Sequence, residues 1–161
     1  MAVVTLTATR RGVAQTVPGH GGAANVKSMV ATVEVGSADS ATSTYELFQI
    51  PSNARILPSS RRWHDDLASA GSPTLDIGLF AVNSNITSDD DALIADIDVA
   101  TANATGANLL SDHANGAKRA WEFVSGQSSD PGGSFIVKGT LKDAAVNVGG
   151  TVTVQLDYIL D

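Results

Sequence analysis

The segment Val152, Val154, Leu156, Tyr158 and Leu160 places an apolar side chain at every second position, with Thr153, Gln155 and Asp157 between them. A period of two puts one set of side chains on each face of an extended strand, whereas a helix would scatter the same residues around its surface. The pattern recurs. Met29, Ala31, Val33 and Val35 alternate with Thr32 and Glu34, Leu75, Ile77, Leu79 and Ala81 with Asp76, Gly78 and Phe80, and Phe135, Val137, Gly139 and Leu141 with Ile136, Lys138 and Thr140. Gly36–Ser40, Pro51 and Asn83-Ser84-Asn85 mark turns or breaks, and Asn115-Gly116 is a tight-turn pair. Short strands at such spacing predict an all-β fold, a jelly-roll or β-sandwich of about eight strands. No fixed-period repeat points to a propeller or solenoid.

Residues 1–25 stand apart. Val4, Leu6 and Ala8 alternate with Thr5, Thr7 and Thr9, then Arg10-Arg11-Gly12 leads into Val17-Pro18-Gly19-His20-Gly21-Gly22. Pro and clustered Gly do not hold a central strand. The chain therefore divides into an extended N-terminal arm, 1–25, and a β-sandwich or jelly-roll domain, 26–161. The Ala2–Thr9 stretch suits addition to an exposed sheet edge, and is expected to pair with a second copy or another protein.

Other segments give local expectations. Ser43–Ile50 and Ala54–Leu57 read as strands, and Pro58–Gly71 as a polar loop holding Arg61, Arg62, Trp63, His64, Asp65 and Asp66. Thr87-Ser88 followed by Asp89-Asp90-Asp91 and Ala92-Leu93-Ile94 has the form of a helix start, with a hydroxyl cap and acids in the first turn. One short helix of about two turns is expected there, with a return to strand over 96–101. Ala117–Val124 reads as a strand with Trp121 and Phe123 on one side.

The chain of 161 residues is one domain's length, and large enough to fold without a covalent staple. It has no cysteine, so disulfides and thiolate metal sites are excluded. The formal charge of −7 argues against duplex nucleic acid as a partner, since phosphate neutralisation dominates such binding. No apolar run reaches the roughly 18 residues of a membrane span. Residues 1–9 lack the basic start of a secretory signal, so the Asn85-Ile86-Thr87 and Asn103-Ala104-Thr105 triplets carry no expectation of glycosylation.

The search for chemistry ends in structural readings. The histidines are His20, His64 and His113, and no serine lies in a nucleophile-elbow context. His64-Asp65-Asp66 offers metal-ligand types, but adjacent side chains of an extended segment point to opposite faces. There Arg61 and Arg62 are expected to balance the two aspartates. Asp89–Asp91, with Asp96 and Asp98 beyond, lacks the alternation, glycine and distal glutamate of a calcium loop, and helix capping accounts for it. Glu34, Glu46 and Glu122 fall in separate expected strands, which suggests no carboxylate pair for glycoside hydrolysis. The expectation is no enzyme, no metal and no cofactor. Trp63 beside two arginines has the composition of a protein contact. The partner-contact candidates are Val4, Leu6, Arg10 and Arg11 in the arm, and Arg61, Arg62 and Trp63 in the loop.

Residues 43–160 resemble small phage virion structural proteins of the capsid decoration or cement type. The resemblance is carried by Tyr45–Leu57 (YELFQIPSNARIL), an acidic loop, Ser72–Leu79 (SPTLDIGL), Ala120–Val124 (AWEFV) and the terminal Val-Thr-Val-x-Leu strand. It implies a jelly-roll or sandwich core and a protein that binds the outside of a phage head and stabilises contacts between major capsid protein subunits. Its implied partners are the major capsid protein and itself, as a dimer or trimer, with location in the virion after assembly in the host cytoplasm. It carries over no catalytic residues. The alternatives are another virion part, such as a head fibre base, tail or baseplate component, or a carbohydrate- or receptor-binding sandwich.

Overall fold

The computed structural model describes residues 3, 5–7, 15–16, 26–82, 84, 86–110, 115–116 and 118–160. They form β1 (Thr5–Thr7), β2 (Gln15–Thr16), β3 (Lys27–Val35), β4 (Thr44–Pro51), β5 (Ala54–Ile56), β6 (Arg61–His64), β7 (Thr74–Ala81), β8 (Asp89–Asp98), β9 (Asn103–Asn108), α1 (Ala120–Phe123), β10 (Ser134–Lys142) and β11 (Gly150–Leu160). The fold is all-β, two sheets packed face to face as the alternations require. One sheet runs β1-β4-β10-β7-β8, the other β2-β3-β11-β6-β9, and β5 pairs β11 alongside β6. Among the described residues, every strand pairing is antiparallel except β1 on β4.

Period-two patterning fixes which face is buried. Met29, Ala31, Val33 and Val35 of β3 lie opposite Leu156, Val154, Val152 and Gly150 of β11 in unbroken register. All but Gly150 are buried. From the other sheet, Tyr45, Phe48 and Ile50 of β4, Phe135, Val137 and Leu141 of β10, and Leu75, Ile77 and Leu79 of β7 close the core. Each such side chain contributes about 1.5–3 kcal/mol on burial, so the long alternating strands dominate the favourable energy. Gly139 faces inward on β10, where a Cβ would come within 3.3 Å of Leu75 Cδ1, so its small size leaves room for that leucine.

Three local expectations are corrected. The expected helix after Thr87 is a strand, β8. An isolated two-turn helix is marginal in water. As a strand, β8 pairs with β7 and buries Leu93 and Ile97. The hydroxyl cap persists in another form, since Ser88 Oγ accepts the Ala81 N–H at 2.8 Å.

Conversely, the strand expected at Ala117–Val124 contains the helix instead. The Trp121 N–H donates to Ser52 O at 3.1 Å, and the Arg119 N–H to Glu122 Oε2 at 2.6 Å. These bonds curl one turn that buries Ala120 rather than laying Trp121 and Phe123 on a sheet. Within the expected 58–71 loop, Arg61–His64 is a strand, paired on one side with β11 and on the other with β9.

Candidate contact surfaces

Strand β6 sends Arg61 and Trp63 to the outer face of its sheet, and Arg62 and His64 toward the other sheet. The outer face is set by register. Arg61 lies beside Gln155 and Asn108, and Gln155 beside Val30. Trp63 lies beside Thr153, and Thr153 beside Thr32. The Thr32 and Thr153 hydroxyls are hydrogen-bonded at 2.8 Å, and Val30 is 51% exposed. The indole of Trp63 rests on the backbone of Gly106, whose φ is +78° and where a Cβ would sit 2.7 Å from Trp63 Cε2. The result is a patch of hydroxyl, amide, valine and tryptophan around the Arg61 guanidinium.

The aspartates expected to balance the arginines do other work. Asp65 Oδ2 accepts both the N–H and the hydroxyl of Thr151 at 2.8 Å, which holds its carboxyl below the usual range. Asp66 Oδ1 accepts the Ala68 N–H at 3.1 Å. Among the described residues, no carboxylate pairs with Arg61 or Arg62. Arg61 reaches only Gly106 O, at 3.5 Å, and Arg62 only His64 Nε2, also at 3.5 Å. Arg62 Nε is buried without a partner.

The Asp65 carbonyl can only accept, so His64 Nδ1 donates to it, at 3.2 Å, and Nε2 is left as an acceptor. Burial holds the His64 pKa below its usual value, and nearby Arg62 adds to the depression. The three neighbours thus form no metal-ligand set: the imidazole points inward while both carboxylates bind protein donors.

The outer face of the other sheet is charged. Glu46, Lys138 and Gly78 form one row, and Thr44, Thr140 and Asp76 the next. Lys138 Nζ lies 2.9 Å from Glu46 Oε1 and over the Phe80 ring. Strand β8 breaks register between its pairings with Ile77 and Leu79, taking four residues, 90–93, across the single residue Gly78. This bulge lies directly on Gly78, where a Cβ would collide with the Asp89 carbonyl and the Asp90 backbone. The carboxylates of Asp89, Asp90 and Asp91 gather within 4.8 Å. Lys142 Nζ binds Asp90 at 2.6 Å and approaches Asp76 at 3.5 Å. Asp89 accepts the Ser125 N–H at 2.6 Å. Asp91 is held above the usual carboxylate range, first by its hydrogen bond with Asp89, then by desolvation and the neighbouring charges. Calcium takes six to eight oxygens, and here three carboxylates converge, Asp89 bound to the Ser125 N–H, Asp90 to Lys142 and Asp91 to Asp89.

In the arm, β1 lies parallel to β4 of its own chain, with Leu6 opposite Tyr45, and β2 lies antiparallel to the start of β3. Val4, Arg10, Arg11, His20 and His113 lie outside the described residues. The three glutamates are separate: Glu34 on the outer face of one sheet, Glu46 on that of the other, and Glu122 at the helix. A shallow depression over the β4–β10 register shift, lined by Glu46, Leu47, Phe48, Gln49 and Ile136, has room for no more than about one water molecule. Small-molecule sites usually enclose roughly 300–1,000 Å³. Among the described residues, no helix is long and apolar enough to cross a membrane.

These features define the class: a two-sheet, largely antiparallel β-sandwich whose polar groups serve turns, strand ends and surface pairs. Comparison with protein-family models and with curated proteins gives no match. Among solved structures, the fold matches a chain in the capsid asymmetric unit of cyanophage Pam1, with TM-score 0.59, 21% identity, and coverage of 92% of this chain and 94% of that one. It also matches a chain in the capsid of Ralstonia phage GP4, with TM-score 0.62, 17% identity, and coverage of 98% and 99%. At these identities the likeness shows the fold.

The sequence names Arg61, Arg62 and Trp63 together as contact candidates, and the structure puts the exposed Arg61 and the half-buried Trp63 on one outer face. It separates them from Arg62, which turns inward. The acidic bulge over Gly78 went unread, although the glycine between Asp76 and Phe80, followed shortly by three consecutive acids, was its available signal.

Proposed function

We propose that this chain is a structural component of a phage virion, and more specifically a decoration or cement protein that binds the outside of the head and stabilises contacts between major capsid protein subunits. The observation that supports the virion part of this reading is the match to chains of two phage capsids, 94% and 99% of whose lengths are covered. The resemblance of residues 43–160 to capsid decoration proteins is a separate support.

In this reading the protein has no catalytic residues and needs no cofactor. Its contacts are divided between the major capsid protein and further copies of itself, through Val4, Leu6, Arg10 and Arg11 of the arm and Arg61 and Trp63 of β6, with the inward Arg62 behind them. Many copies convert modest contacts into large avidity across a shell under internal pressure. A negative chain also stays soluble at high concentration before it docks.

The test is cryo-electron microscopy of intact particles together with quantitative protein ratios. The expected result is density for this chain outside the shell, at a fixed ratio to the major capsid protein. Particles stripped of it should lose their contents at lower temperature. Recovery of the chain only in tail fractions, or its absence from particles, would overturn the reading.

A further inference from the structure

The two outer faces of the sandwich are complementary in charge. The β3-β11-β6-β9 face centres on Arg61, with Val30, Gln155, Thr153, Thr32 and Trp63 around it. The acids near this patch are occupied or peripheral. Asp157 is buried and accepts from Ser28, Ser59 and Gln155, Asp65 is bound to Thr151, and Glu34 stands at the far end of β3. Among the described residues, the opposite face carries Asp89, Asp90 and Asp91 beside the ammonium of Lys142, over the buried Asp76, whose Oδ1 accepts the Asp96 N–H, and Glu46 is matched by Lys138.

Among the described residues, one face thus offers a guanidinium that no acid meets, and the other offers carboxylates in excess of their cations. Arg61 is exposed, so its guanidinium is open to a carboxylate from another molecule, beside the apolar surface of Val30 and Trp63. The patch and the bulge lie on opposite sides of the sandwich, so one molecule cannot bring them together.

We propose that the Arg61–Trp63 face docks a second copy of this chain head to tail, with the Asp89–Asp91 bulge of one copy seated on Arg61 and Trp63 of the next. The guanidinium fork suits paired carboxylate oxygens, and Trp63 and Val30 supply the apolar contact that excludes water from the pair. Because donor and acceptor patches differ, the contact is heterologous. It either closes into a ring or propagates. The inference stands on charge and geometry and does not depend on the virion reading.

Sedimentation velocity of the full-length chain over a wide concentration range, at low and high salt, tests it. The expected result is reversible association that weakens with salt. Arg61→Glu and Asp91→Arg should each weaken association at least tenfold, and the double variant should restore it. Both side chains are exposed, and Arg61→Gln with Asp91→Asn provides milder forms should a charge reversal perturb folding, checked by far-ultraviolet circular dichroism. A monomer at every concentration overturns the proposal. So does association indifferent to the single variants, or loss that the double variant does not repair.

Discussion

The hydroxyl of Tyr45 donates a 2.8 Å hydrogen bond to Oδ2 of Asp39 inside the protein, where the turn after β3 leads into β4. The same oxygen accepts the Gly36 N–H at 3.0 Å, so one carboxylate ties the turn to the first inward side chain of the next strand. Burial, followed by that hydrogen bond and the Asp39 charge, pushes the tyrosine far above its usual value of 10.0.

A tyrosine kept neutral in the fold but free to ionise when unfolded stabilises fully below pH 10, and this stability is lost as pH rises above it. The loss is about 1.4 kcal/mol per pH unit. Tyr45→Phe should cost about 1–3 kcal/mol at neutral pH by leaving the carboxylate one donor short. It should also make the alkaline loss shallower. Urea unfolding at a series of pH values from 7 to 11 measures both. Tyr158, also raised by burial, should keep part of the slope in the variant.

Gly78 supports the β8 bulge by having no side chain. In Gly78→Ala the methyl meets backbone, which cannot swing aside as a side chain would. The expected cost is about 1–3 kcal/mol or more, with disturbed Asp89–Asp91 geometry. Gly139→Ala is the control, since its methyl would meet the flexible end of Leu75 at 3.3 Å. Thermal melts of the two variants should differ clearly, with Gly78→Ala the lower.

His64 governs the acid side. Its pKa is depressed in the fold, so the unfolded chain takes up the proton first as pH falls below the usual value of 6.5. Stability is therefore present above pH 6.5 and declines below it, until the folded imidazole also protonates. Arg62, 3.5 Å from Nε2, opposes that second charge. Two-dimensional NMR of the imidazole should report the low folded value, and Arg62→Met should raise it toward the usual range.

Gly106→Ala should couple backbone strain to a visible signal. A methyl at φ +78° is strained and presses on the Trp63 indole. The expected effect is about 1–3 kcal/mol of destabilisation with a shift in tryptophan emission. At Gly126, φ is +79° and nothing lies within 4 Å, so Gly126→Ala should show the backbone cost of about 1 kcal/mol without the emission change.

The strands that could be read from sequence were those with one face buried along their whole length: β3, β7, β10 and β11. For them patterning and tertiary structure ask for the same thing. The errors fall where local and distant interactions disagree. Ser88 and the acids after it satisfy helix-start chemistry, but the edge of β7 offers Leu93 and Ile97 a buried site that a two-turn helix could not provide. Trp121-Glu122-Phe123 alternates like a strand, and it takes the carbonyl of Ser52, far back in the sequence, to help turn it into a helix. Strand β6 was hidden because its outward positions hold Arg61 and Trp63, and its inward ones Arg62 and His64. No hydrophobic period survives there. The contact surface was legible as composition, but the opposition of the two faces depends on a register break that no local pattern announces.

The order in which the chain is made bears on how this sandwich assembles. The middle strands of the two sheets, β10 between β4 and β7, and β11 between β3 and β6, are the last two strands in sequence. During synthesis, β3, β4, β6 and β7 therefore leave the ribosome before the strands that join them exist. Neither sheet can be completed from its N-terminal part, and both wait on residues 134–160. Folding should be a late, concerted step dominated by distant pairings, and slow, on the millisecond-to-second scale of all-β domains. Until then the unfinished chain displays open strand edges, the stage at which it is most exposed to aggregation.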